Sequence, residues 1–480
     1  MSMGSVEGIE VEAGLNAMRE VFERQRVAFA RDAHPAKAVR DRRLATLARL
    51  LQENADAIAE AIDADFGHRS RDETRLLEIF PSLESIRHAR RHLGGWMRAE
   101  RRPVSIWFLP GRAQVIPQPL GVVGIISPWN YPVLLAVSPL AAALAAGNRA
   151  MVKMSEFTPR TSALFARLVS LYFGADEVSV VQGDAELAQA FAKLPFDHLL
   201  FTGSTRVGYA VMRAAADNLT PVTLELGGKS PAIVGPGYPL AKAAERILVG
   251  KCMNAGQTCI APDYVLLPRG STAAFLDEAR KVVDRCYPDM ARTPDYTSIA
   301  SERHFARLSD WLEEARGAGA RIVPLSASLP APDPATRRMP PHAVLDAKDE
   351  LQVMQEEIFG PLLPVIEYDG LDEAIGFVNA RPRPLALYYF DHSRERIERV
   401  LRETVAGGVT INDTILHIAQ DHLPFGGVGH SGMGHYHGRE GFETFSKKKA
   451  VFIQSPVNTV GLFKPPYGRL FDTLVRFLIR

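Results

Sequence analysis

The stretch Leu120–Lys153 reads L-G-V-V-G-I-I-S-P-W-N-Y-P-V-L-L-A-V-S-P-L-A-A-A-L-A-A-G-N-R-A-M-V-K. Its first eight residues form an apolar run that suits a strand buried on both faces. Val133–Ala146 then reads as a helix, ended by Gly147. Arg149–Lys153 is a second apolar strand. A strand, a helix and a strand within one short segment predict a parallel β-α-β unit.

The same alternation continues downstream. Thr158 is expected to cap a helix running to Phe173, with Pro159 in its first turn. Strands follow at Val178–Gln182, His198–Thr202 and Val222–Leu226, with helices at Ala185–Leu194 and Arg206–Ala215. The fold class is therefore α/β, with a doubly wound, Rossmann-like domain. A second α/β unit begins with a helix at Ala241–Met253 and a strand at Tyr264–Leu267. Helices at 271–286 and 302–316 and strands near 321–325, 361–368, 385–390 and 408–411 extend it. Segment 326–342 reads as a surface loop. The glycine-rich run 423–438 reads as an irregular loop beside a ligand.

Upstream, residues 11–98 are helical. Leu44, Leu47, Leu51, Ala55, Ile58 and Ile62 recur at three- and four-residue steps and make one apolar face. The arginines between such positions read as a solvated face. Val104–Pro119 reads as two strands around a Pro-Gly turn, an arm for a second subunit or a plain surface hairpin. Lys447–Gln454 is a strand that returns to it. The expected division is 1–102 with 120–227, then 228–430, then an arm of 103–119 with 446–455, and a tail at 456–480. The tail carries a short helix with Leu470, Phe471, Leu474, Val475 and Leu478 on one face. It packs on the body in the plain reading and touches a membrane surface in the sharper one.

Between the helix at Ala241–Met253 and the strand at Tyr264–Leu267 lies Cys259, in G-Q-T-C after Gly256. A packing cysteine usually sits inside an apolar periodic segment. This one follows a polar turn whose backbone N–H groups can point inward, which suits a thiolate nucleophile. A small residue in a connecting loop is the plainer reading.

Composition narrows the classes. The chain has 480 residues, enough for two or three domains, and a net charge of +1, which gives no case for nucleic acid. Three cysteines make no disulfide framework and fit a reducing cytoplasm. No Cys/His spacing suggests zinc, and the histidines within 423–438 lack a spaced acidic or cysteine partner, so no metal is expected. The N-terminal ten residues are polar and acidic, unlike a secretory signal. The Val133–Ala146 run is too short to span a bilayer.

Several islands stand in order around Cys259: S-P-W-N-Y-P (127–132), V-K-M-S-E (152–156), F-T-G-S-T-R-V-G (201–208), L-E-L-G-G-K-S-P (224–231), G-Q-T-C (256–259) and E-E-I-F-G-P (356–361). With N-D at 412–413 and P-F-G-G at 424–427, they resemble the aldehyde dehydrogenase superfamily over nearly the whole chain. The run G-M-G-H-Y-H-G-R-E-G-F-E-T-F-S is most similar to the class 3 branch, and within it to bacterial coniferyl-aldehyde dehydrogenases. Two departures stand out. K-M-S-E has methionine where many relatives have proline, and the tail is longer than the soluble class 3 pattern.

The resemblance implies NAD-linked oxidation of an aldehyde to its acid through a cysteine thiohemiacetal and thioester, in a cofactor domain, a catalytic domain and a β-arm for oligomerisation. Cys259 is the implied nucleophile, Glu225 the general base and Asn130 an oxyanion donor. Leu224 and Leu226 around Glu225 favour a raised pKa; an ion-paired strand-end carboxylate is the plainer reading. Trp129, Lys153, Glu156, Gly203, Ser204, Gly208, Glu357 and Phe359 are the implied cofactor contacts. No GxGxxG fingerprint is present; F-T-G-S-T-R-V-G stands in for it, with Gly203 and Ser204 at a helix start that favours phosphate. Glu156 favours NAD, though NADP is tolerated in the class 3 branch. A homodimer in the cytoplasm is expected. Competing readings are an aliphatic aldehyde as substrate, a cofactor-independent thioesterase, and a cofactor-binding protein without turnover.

Overall fold

The computed structural model describes residues 3–458, 461 and 464–479. The sequence readings on Met1 and Ser2, and on the tail positions 459–460, 462–463 and 480, lie outside the described residues. The first strands are β1 (Glu100–Arg102), β2 (Arg112–Pro119), β3 (Val122–Ile126), β4 (Arg149–Lys153) and β5 (Val178–Val181). Next come β6 (His198–Thr202), β7 (Val222–Glu225), β8 (Pro231–Val234), β9 (Tyr264–Pro268), β10 (Arg321–Pro324) and β11 (His342–Leu345). The chain ends its sheets with β12 (Leu362–Tyr368), β13 (Ala386–Phe390), β14 (Gly408–Ile411), β15 (Gly432–Met433) and β16 (Ser446–Ile453).

Three sheets result. The first has the order β15-β7-β6-β3-β4-β5, parallel throughout except for β15. The second runs β10-β11-β12-β9-β8-β13-β14, parallel except for β10. The third, β1-β2-β16, is antiparallel. Parallel strands need long crossovers, so helices cover both faces, and β3 and β4 are buried along their whole length. Leu44, Leu47, Leu51, Ile58 and Ile62 are all buried against this layer.

Several expectations are corrected. The arm's first strand is Glu100–Arg102, ahead of the expected boundary at 103. Residues 103–111 make a loop with one 3-10 turn at Ile106–Phe108, because Pro103 and Pro110 lack the N–H a ladder requires. The run 423–438 is not wholly irregular: β15 pairs with β7, placing Gly432 opposite Glu225. Segment 326–342 ends in a strand, since His342 opens β11. Thr158 makes no side-chain cap; the Asp65 carboxylate accepts from the Arg160 and Thr161 N–H groups instead (3.0 and 2.8 Å).

The arginines are not all solvated. Arg40, Arg43 and Arg69 are buried. Arg40 donates to the Ala145 and Ala146 carbonyls at the C-terminus of the helix Leu134–Ala146, where a cation is favoured. The tail helix Arg469–Leu478 buries none of its residues, so the plain expectation of packing on the body is not met. No helix among the described residues is long and apolar enough to cross a membrane.

Candidate active site

Three neighbouring parallel strands end side by side. Ile126 at the end of β3 is in register with Lys153 of β4 on one side and Phe201 of β6 on the other. The loops after these ends hold Trp129 and Asn130, Lys153 to Glu156, and Gly203 with Ser204. Ligands collect at this carboxyl edge of an open α/β sheet.

The cysteine loop docks onto it. After the helix Leu240–Cys252, Asn254 and Ala255 take left-handed conformations (φ 51° and 50°). Gly256 follows at φ 75°, where a Cβ would stand 2.4 Å from the Gly360 carbonyl. Such a turn persists only when its surroundings hold it. Here they do. The Glu73 carboxylate accepts from the Asn254 N–H (2.6 Å) and from the Thr297 hydroxyl (2.7 Å). Gln257 donates to the Asn254 and Ser298 carbonyls (2.9 and 3.1 Å) and accepts from the Ala300 N–H (2.9 Å). Tyr131 and Thr258 share a hydroxyl contact of 2.7 Å.

Asn130 is buried and tied to this loop. Its side-chain amide donates to the Gln257 carbonyl at 3.0 Å. Its own carbonyl accepts from Asn254 Nδ2 and from Arg69 Nη1, each at 3.0 Å. Arg69 in turn pairs with Glu78 at 2.8 Å, both fully buried. The other Glu78 oxygen accepts from the Val133 and Leu134 N–H groups at the start of the next helix (2.8 and 3.1 Å). The turn-capping reading of Asn130 therefore gives way to a role in cross-linking two loops.

Cys259 is half-buried at the end of this turn. Burial pushes its thiol well up, the Glu357 and Glu225 carboxyls push it further, and the Cys259 and Ile260 N–H groups draw it down. Glu225 ends β7 and is buried, with neither carboxyl oxygen hydrogen-bonded among the described residues. Desolvation raises its pKa well above the usual carboxylate range. Among the described residues Glu225 makes no ion pair, so the plainer reading of a paired strand-end carboxylate is not met. Glu357 lies against Gly227, where a Cβ would come within 2.2 Å of its oxygens. Desolvation, then the Asp263 charge, pushes Glu357 up to about 8. Tyr436 is buried within electrostatic reach of both Glu225 and Cys259.

The remaining expected residues are placed as follows. Lys153 is buried and donates to the Met154 carbonyl at 2.7 Å, with the partly exposed Glu156 carboxylate 3.9 Å away. Ser204 is the N-cap of the helix Thr205–Ala216, its hydroxyl accepting from the Val207 N–H at 3.4 Å. A Cβ on Gly208 would meet Leu226 at 2.8 Å, so this glycine lets the helix approach β7. Trp129 stacks on His304 (4.7 Å, 22°) and meets Phe359 edge-on (5.3 Å, 72°). Phe359 has φ 48° and is half-buried rather than a core aromatic. Sequence reasoning missed Arg69, Glu73, Glu78 and Tyr436. The only signal was a dense run of charge, R-S-R-D-E-T-R-L-L-E at 69–78, in an otherwise amphipathic region.

The profile described as "Aldehyde dehydrogenase family" matches residues 10–451. A Pseudomonas aeruginosa protein named "Probable coniferyl aldehyde dehydrogenase" is 53% identical over 461 residues, covering 96% of both chains. A "Coniferyl aldehyde dehydrogenase" from a Pseudomonas species is 50% identical over 433 residues, covering 90% of this chain and 89% of that one. The solved structure titled "Substrate bound state of Staphylococcus Aureus AldH" superposes with a TM-score of 0.91 at 36% identity, covering 96% of this chain and 99% of that one.

Proposed function

The chain belongs to the aldehyde dehydrogenase family, an oxidoreductase family acting on aldehydes with NAD(P), and we propose on that premise that Cys259, Glu225 and Asn130 carry its chemistry. The observation that carries this reading is the convergence on one sulfur. Cys259 sits at the end of a fully braced turn, Asn130 is fastened to that turn, and the unpartnered Glu225 carboxyl lies within electrostatic reach of the thiol.

The Cys259 thiol passes its proton to solvent water, and the sulfur lone pair bonds to the aldehyde carbon while the carbonyl pair moves to oxygen. Asn130 Nδ2 has one hydrogen on the Gln257 carbonyl and a second for that oxygen; the Cys259 N–H is the other donor. NAD(P), when bound, supplies the acceptor for the hydrogen that leaves this carbon with its electron pair. Cys259 is left as a thioester. Glu225, ionised, takes a proton from water as its oxygen attacks the thioester carbon; the C–S bond breaks, the proton on Glu225 passes to the departing sulfur to re-form the thiol, and the carboxylic acid leaves.

The residues present fit the cofactor. A helix N-terminus with a capping serine faces the carboxyl edge of the sheet, and Gly203 removes a side chain beside it. We assign Gly203 and Ser204 to the phosphates, Lys153 and Glu156 to the adenosine ribose, and Glu357, Phe359 and Trp129 to the nicotinamide end. Gly208 acts by letting the helix come close. Glu156 would repel a 2′-phosphate, which favours NAD over NADP. The first sheet is the cofactor-binding unit, the second the catalytic unit, and the third the arm.

The substrate we propose is an aromatic aldehyde of the coniferyl type, on the strength of the relatives' names. The arm exposes Ile106, Trp107, Phe108 and Leu109, and β16 is an eight-residue edge strand. The exposed apolar loop beside this edge supports a homodimer, and the sparse, unpaired cysteines support a cytoplasmic location. One experiment tests the core of this reading: purified protein is assayed with coniferyl aldehyde and with a medium-chain aliphatic aldehyde, each with NAD and NADP, by absorbance of the reduced cofactor. The highest kcat/KM is expected for coniferyl aldehyde with NAD. Cys259→Ala making reduced cofactor at an undiminished rate would overturn the assignment of the nucleophile.

A further inference from the structure

Three histidines from two distant segments meet outside this site. His88 and His92 stand one turn apart on the helix Phe80–Trp96, and His422 reaches them from the loop after β14. One ring nitrogen from each lies within 4.8 Å of the other two. The His422 ring stands nearly perpendicular to both partners, at 4.4 Å from His88 and 5.3 Å from His92 between centroids. His88 is buried, His92 half-buried and His422 exposed, so the cluster opens to solvent on one side.

The surroundings orient these rings as a ligand set requires. His92 Nδ1 lies 2.9 Å from the His88 carbonyl. A carbonyl only accepts, so Nδ1 carries the proton and Nε2 keeps its lone pair. A histidine that ligates a metal is usually fixed in this way. Trp96 stacks on the His92 ring (5.8 Å, 18°) and touches His88 (5.6 Å), with Phe442 behind it (5.6 Å). Gly438, at φ 47°, keeps the far side clear: a Cβ there would stand 3.2 Å from His88 Nε2 and 2.0 Å from the Asp421 carbonyl.

We propose that His88, His92 and His422 bind one borderline divalent cation, zinc foremost, with water in the fourth position. Three imidazoles select zinc, copper or nickel over magnesium or calcium, which prefer oxygen. Ligand nitrogens at 2.0–2.1 Å on a tetrahedral zinc are roughly 3.3 Å apart, so the three rings, within 4.8 Å of one another, would draw together on binding. Arg91 lies within electrostatic reach of His88 and the Asp421 carboxyl within reach of His422, so opposed charges surround the cation and affinity is moderate rather than that of a closed structural site. The effect is to clamp the loop that leads into β15, and so to Glu225, onto the helix Phe80–Trp96.

The test uses full-length, tag-free protein carrying Cys259→Ala and Cys286→Ser, which removes both thiols that are not buried. After dialysis against chelator, zinc(II) is added, and bound metal is counted by elemental analysis after gel filtration. Cobalt(II) is added in parallel and read by its visible absorption. One zinc per chain and a four-coordinate cobalt band are expected. His422→Ala, at an exposed position, and His92→Gln should each weaken zinc by more than the roughly 10–100-fold typical of losing an outer-sphere partner. Zinc should raise the Tm of the parent but not of His422→Ala. Unchanged stoichiometry and affinity in both variants, or no cobalt band in the parent, would overturn the proposal and leave the three rings as packing alone.

Discussion

Two regions next to the Cys259 turn are built on opposite principles. On the Asn130 side, buried polar groups interlock: Asn130, Asn254, Gln257, Glu73, Arg69 and Glu78 hold one another and two loops. On the Glu225 side, a buried carboxyl ends a strand with no hydrogen-bond partner among the described residues. An oxyanion donor works by being preorganised, so it gains from a rigid frame. A base must change protonation during turnover, and a fixed charge partner would hold it in one state. On the roles proposed for Asn130 and Glu225, the contrast separates a part of the site that gains from being held still from a part that has to titrate.

The contrast can be broken from either side. The largest effect is expected for Glu225→Gln, which keeps the shape and removes the base. Its kcat should fall by roughly 10²–10⁴-fold, with a pre-steady-state burst of reduced cofactor retained, measured by stopped flow. Next is Arg69→Met, which leaves Glu78 charged and buried without its cation. About 3–5 kcal/mol of stability should be lost in denaturant unfolding, against little for the paired change Arg69→Met with Glu78→Leu. Asn130→Ala should cost about 2.7–4 kcal/mol of barrier, seen in kcat, and should diminish the burst that Glu225→Gln retains. The smallest effect is one of stability.

The folded pKa of Glu225 is raised, so the folded state binds more protons than the unfolded one above the unfolded value of about 4.3. Stability contributed at this position therefore falls as pH rises from that value toward the folded pKa. Glu225→Gln should raise the Tm at neutral pH, and the gain should vanish as pH approaches 4. A gain that grew on acidification would mean that Glu225 is stabilised as an anion.

The strands of the first sheet were legible because full burial writes itself as unbroken apolar runs: Arg149–Lys153 and His198–Thr202 match the sequence reading residue for residue. Strands β8 and β11 were missed. P-A-I-V and H-A-V-L are four residues each and flanked by proline-rich loops, too short for a periodic signal. Cys259, Glu225 and Asn130 stood out through their flanking residue types. The bracing arginine and glutamates did not, because a buried charge and a solvated one look alike until the partner is known. Arg69 and Asn130 are 61 positions apart, and no local pattern joins them. The two-residue β15 was hidden by glycine, which the loop needs because a Cβ on Gly432 would strike the Leu224 carbonyl at 2.0 Å.

That last pairing sets an order of events during synthesis. The strand bearing Glu225 waits for a neighbour made more than two hundred codons later, while the sheet's other strands are already complete. A nascent chain still on the ribosome at residue 430 would hold its cysteine loop and its nucleotide-edge loops but lack one wall beside the base. Premature termination there would also remove Tyr436, Phe442 and Phe445, which are buried in the core, so the chain's last fifty residues close the packing as well as the strand beside Glu225.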